Sequence, residues 1–133
     1  MFKTLCHSAL LTAALLIPAV HARPPMPTGH HGGMVTHCTD PTFSGESPAP
    51  EARVAQLESF SFTASDNTDG STLEAWVNLQ PVKLTVTTQR SGRLAVSAKL
   101  PAPITQGRAW IKVKGYSEDG CEQLHTWNVY AGD

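Results

Sequence analysis

Five side chains able to ligate a soft or borderline metal ion crowd into the stretch from residue 26 to 37: Met26, His30, His31, Met34 and His37. Imidazole suits copper, zinc and nickel, whereas a thioether selects copper(I). Gly32 and Gly33 sit between the histidines and let a short loop wrap an ion without steric cost. Only neutral imidazole coordinates, so binding by these residues is expected to fade below about pH 6. His30, His31, Met34 and His37 are therefore the candidate metal ligands, for copper or zinc. The competing reading is a solvated tail in which the histidines cluster by chance.

Cys38 follows His37 directly, and its only possible partner beyond the first 22 residues is Cys121. In an exported chain an even pair reads first as a disulfide. It closes a loop of roughly 80 residues, worth about 4 to 5 kcal/mol on the chain-entropy estimate. The alternative for Cys38 is a thiolate ligand beside the histidines.

Export is the expectation from residues 1–22. Lys3 supplies a positive start, Ala9 to Ile17 is apolar except for Thr12, Pro18 ends the run, and Val20-His21-Ala22 fits a signal-peptidase site. A membrane-spanning helix needs about 20 apolar residues, and this run is half that. Cleavage after Ala22 leaves Arg23 at the amino terminus and removes Cys6, giving a periplasmic or secreted protein. With Pro25 third, an amino-terminal copper clamp is excluded. No later stretch is apolar enough to span a membrane.

Past the signal the charge is near neutral, and no basic run suggests nucleic acid as a partner. Residues 23–52 are rich in Pro, Gly and His, a composition that propagates no ladder and reads as a flexible arm. From residue 53 to 133 the period becomes two. Phe60 and Phe62, then Val82, Leu84 and Val86, then Leu94, Val96, Ala98 and Leu100, then Ala109, Ile111 and Val113 alternate with polar or small neighbours. Such alternation marks strands with one buried face. Leu73 to Val77 and Leu124 to Tyr130 complete the set, with turn signals between. Short strands at this spacing predict an all-β sandwich or small barrel.

If each strand crosses the sandwich, the loops at 65–71, 89–92 and 116–120 share one end, where Cys121 begins the last strand. A Cys38–Cys121 bond then brings the arm to Asp66, Asp69, Glu118 and Asp119, acids that ordinary turn chemistry also explains. Trp76 and Trp110 are out of phase with the apolar residues of their strands, so both should point outward. They are candidate partner-binding residues for a protein or glycan, unless the arm covers them. The facing of Trp127 is undecided. His125 reads as a strand histidine with a satisfied hydrogen bond. No nucleophile motif, phosphate loop or cofactor fingerprint is present, so no catalytic residue and no enzyme activity is expected.

The runs Glu46-Ser47-Pro48-Ala49-Pro50-Glu51-Ala52-Arg53-Val54, Phe60-Ser61-Phe62-Thr63-Ala64-Ser65-Asp66 and Val77-Asn78-Leu79-Gln80-Pro81-Val82 resemble bacterial immunoglobulin-like and fibronectin-type-III-like domains. The chain also looks distantly like the small periplasmic copper-resistance sandwich proteins. The resemblance implies a small immunoglobulin-like antiparallel β-sandwich of six or seven strands carrying a flexible amino-terminal arm. In those copper-resistance proteins a histidine at the mature amino terminus is typically a ligand, and here Arg23 stands there. Two function classes follow: a metal-binding periplasmic protein for copper or zinc, or a non-catalytic accessory module meeting a protein or glycan through its tryptophans.

Overall fold

A computed structural model describes residues 37–133, so the expected signal peptide and Met26, His30, His31 and Met34 lie outside the described residues. The chain forms β1 (Phe43–Ser47), β2 (Ala52–Val54), β3 (Leu57–Ala64), β4 (Thr68–Val77), β5 (Gln80–Val82), β6 (Leu84–Thr88), β7 (Leu94–Ile104), β8 (Gly107–Ser117) and β9 (Glu122–Ala131). One sheet has the order β1-β3-β7-β6, the other β2-β9-β8-β4-β5. Among the described residues no helix is long and apolar enough to cross a membrane. The architecture is the small all-β sandwich that the alternation implies.

The period-two segments bury one face each. On β8, Ala109, Ile111 and Val113 are fully buried while Trp110, Lys112 and Lys114 on the other face stay half-exposed. Phe60 and Phe62 of β3 and Val96 and Ala98 of β7 meet them from the opposite sheet. Burying an aliphatic side chain of this size contributes about 1.5 to 3 kcal/mol. Trp127 settles between the layers, 4% exposed, with Phe60 and Phe62 edge-on to it at 5.7 and 6.3 Å.

Four details depart from the sequence reading. The arm was expected to run to residue 52, yet Phe43–Ser47 pairs antiparallel with β3, and Ala52–Val54 pairs with β9. The prolines hid these strands, but both are sheet edges, where a missing donor costs no ladder bond. Phe43 supplies the anchor, buried against Phe62 at 5.7 Å. Secondly, the strands number nine rather than six or seven, because of these two and the separate three-residue β5. Thirdly, the β2–β9 pair is parallel in an otherwise antiparallel structure. Val86, expected in the core with Val82 and Leu84, is 37% exposed because β6 is the open edge of its sheet.

Each side of the sandwich is closed by chain that passes from one sheet to the other. On one side it runs from β1 to β2 through the cis Ser47–Pro48 bond and Glu51, at φ 64°. On the other it runs from β5 directly into β6.

Candidate functional site

The loops at 65–67, 89–92 and 117–121 do gather at one end of the sandwich. Glu118 N donates to Asn67 O at 2.8 Å, and a Cβ on Gly92 would lie 3.3 Å from Asp66 Cβ. The segment entering β1 lies against this end. Cys38 is bonded to Cys121 with their Cα atoms 5.6 Å apart. Asn67 Nδ2 donates to Thr39 O at 3.0 Å, and Ser65 Oγ accepts from Thr42 N at 2.8 Å. Hydrogen bonds of this kind hold an irregular segment whose backbone has no ladder partner.

Asp119 is the centre of this arrangement. Its carboxylate accepts from Ser117 Oγ at 2.5 Å and from Thr39 N at 3.0 Å. Ser117, buried at the end of β8, also accepts from Cys121 N at 2.9 Å, so one hydroxyl orients both the acid and the disulfide. The Ser117 hydrogen bond, then the Thr39 amide, hold the Asp119 carboxyl below its ordinary pKa of 3.8. Asp119 is thus a structural tie as much as an available ligand.

An open cleft of about 540 Å³ lies over this end, lined by Thr39, Asp40, Asp66, Asn67, Glu118 and Asp119 among others. Asp40, Asp66 and Glu118 have no ion-pair partner among the described residues. Asp69, grouped with these acids by sequence, does not line the cleft. It sits on β4 and accepts from Ser71 N at 3.0 Å and Ser71 Oγ at 2.6 Å, which lowers its pKa. Its Asx-type contact is ordinary turn chemistry.

Of the candidate ligands, His37 alone falls among the described residues, exposed and next to Cys38. No three His, Cys, Asp or Glu side chains converge around a possible metal position among the described residues. The possible donors at this end are carboxylate oxygens, which are hard, and one borderline imidazole, types that suit copper(II) or zinc better than copper(I). Cys38, paired with Cys121, is not a thiolate here.

His125 has the partner the sequence left unnamed. Its Nε2 lies 2.5 Å from Glu46 Oε1, an ion pair when the ring is protonated, joining β9 to β1 across the two sheets. Glu46 was invisible as a partner because β1 lay inside the proline-dense stretch. Trp76 and Trp110 lie half-exposed on the outer face of the five-stranded sheet, in phase with Lys112.

No protein-family model and no curated protein sequence matches the chain. Solved structures match in fold. PcoC, a methionine-rich copper-resistance protein from Escherichia coli, shares 15% identity over 70% of this chain and 99% of its own, at a TM-score of 0.56. CopC from Methylosinus trichosporium OB3b shares 13% over 68% of this chain and 92% of its own, at 0.55. The chain is similar to both as a β-sandwich.

Proposed function

We propose that this chain is an exported, non-catalytic copper-handling protein of the periplasm, with the ion as cargo on His30, His31, Met34 and His37. The observation that carries the reading is the Cys38–Cys121 bond, which anchors the end of the His/Met-rich stretch at the acid-lined loop end of the sandwich. Asp66 and Glu118, without ion-pair partners among the described residues, give that end a negative field that draws cations. The fold likeness to a copper-resistance protein favours copper over zinc.

Titration of the metal-free mature protein with copper(I), copper(II) and zinc tests the reading. Deleting Arg23 to Met34 removes copper affinity and leaves the melting of the metal-free protein unchanged, since that composition has little apolar surface to bury. Met34→Leu weakens copper(I) and spares zinc, because only the softer ion gains from a thioether. A truncated protein that binds copper as tightly as the full mature chain refutes the proposal.

A further inference from the structure

The outer face of the five-stranded sheet concentrates aromatic rings and cations at one place. The register sets Trp76 opposite Lys112, Trp110 opposite Asn128, and Tyr130 opposite both Arg108 and Arg53. Trp76, Trp110 and Tyr130 therefore follow an oblique line, each step one strand across and two residues along. Arg108 and Lys112 flank Trp110 on β8, two residues to either side and on the same face.

The cations are already positioned. Lys112 Nζ lies 5.2 Å from the Trp76 ring centre and the Arg53 guanidinium 5.6 Å from that of Tyr130. Four carboxylates share the neighbourhood, Asp133 lining a small cleft with Arg53, and of the four Glu74 is the one held in an ion pair among the described residues. Glu74 pairs with Lys114 at 3.2 Å, Glu122 accepts from the Tyr116 hydroxyl, and Glu51 accepts from Asn128 Nδ2 at 3.1 Å. Arg53, Arg108 and Lys112 have no ion-pair partner among the described residues. The chain as a whole carries −1, and these three cations, free of ion pairs among the described residues, are what this face offers to an anionic ligand.

Such a face suits a ligand that joins a flat apolar surface to an anionic group. A pyranose ring bearing a carboxylate or sulfate meets both demands, with C–H groups for the indole and an acid for the guanidinium or ammonium. Cations held over aromatic rings are partly ordered before a ligand arrives, which lowers the ordering cost of binding. A protein partner anchors energetically in pockets. One open cleft lies at the loop end and an apolar one, lined by Val77, Pro81 and Leu100, at the opposite end, while Trp76, Trp110 and Lys112 line neither. We propose that this sheet face binds an acidic polysaccharide, stacking a sugar ring on Trp110 and pairing its acid groups with Arg108, Lys112 and Arg53. The inference goes beyond the metal reading and does not depend on it.

Affinity electrophoresis of the mature protein through gels containing a polyuronate tests it, with neutral dextran and polyglutamate gels alongside. The expected result is retardation by the polyuronate alone, unchanged when Arg23 to Met34 is deleted. Trp110→Ala weakens it about tenfold. Arg108→Gln with Lys112→Gln weakens it further and flattens its salt dependence, and these exposed changes test the face even if loss of the indole disturbs the sheet. Lys99→Gln, on the opposite sheet, leaves retardation unchanged. Equal retardation by dextran, absence of any retardation, or wild-type retardation of the Arg108/Lys112 variant overturns the proposal. Polyglutamate binding that matches polyuronate binding and ignores Trp110→Ala overturns it too, and assigns the face to an acidic polypeptide.

Discussion

Asp119 ties the segment before β1 to the last turn of the sandwich through one carboxylate and two donors. Because its pKa is depressed, the stability it contributes is present above about pH 4 and is lost as the pH falls through the folded value below 3.8. Asp119→Asn therefore lowers the melting temperature at pH 7 and flattens the acid limb of the stability curve, converging on the wild type as the pH falls from 5 to 2. An acid limb identical to that of the wild type shows that the tie contributes nothing. The acids at this end were legible as residues, since Glu118-Asp119-Gly120 announces a turn. Their division of labour was not. Asp119 is claimed by Ser117 and Asp69 by Ser71, and nothing in spacing distinguishes those from Asp66, which has no ion pair among the described residues.

Among elements, β8 and β9 show where period-two reasoning succeeds and where it stops. Ala109, Ile111 and Val113 alternate with large polar or aromatic neighbours, and the buried face follows directly. On β9 both phases hold large side chains, and Trp127 was unassigned. The structure buries Trp127 with Val129 and turns Leu124 outward at 45% exposure. The deciding contacts, with Phe60 and Phe62, come from the other sheet and leave no local trace in the sequence. A contrast between the tryptophans follows. Trp127→Ala costs about 3 to 5 kcal/mol, as truncation of buried aromatics does, whereas Trp76→Ala costs much less because its ring lies on the outer face. Urea denaturation of the two variants checks this, and comparable losses would place Trp76 in the core. β1 stayed hidden because Phe43 is one apolar residue in a polar, proline-flanked run, and its strand character depends on a distant partner, β3.

At the scale of the molecule, the disulfide joins positions 83 residues apart. The chain-entropy estimate for such a loop is about 4 to 5 kcal/mol, a large share of the roughly 5 to 15 kcal/mol that holds a typical domain folded. Cys121→Ser lowers the melting temperature markedly, and the wild-type protein purified from an oxidising compartment shows no free thiol. Two reactive thiols in the native wild-type protein contradict the bond. This pairing was open to simple counting, since the expected export signal would take Cys6 with it and leave two cysteines. The sandwich fold was open to periodicity, while its nine-strand membership and the Glu46–His125 link required the coordinates.

The two sheet-changing passages described above have a bearing on solubility. A flat sheet edge is a template onto which another molecule can add its own strand. Here the boundary strands are β1, β2, β5 and β6, none longer than 5 residues. Pro48 and Pro50 interrupt one side, and Pro81 and Lys83 the other, removing amide donors and adding a charge where a neighbour would dock. Short edge strands flanked by proline and lysine in this way work against edge-to-edge growth into aggregates.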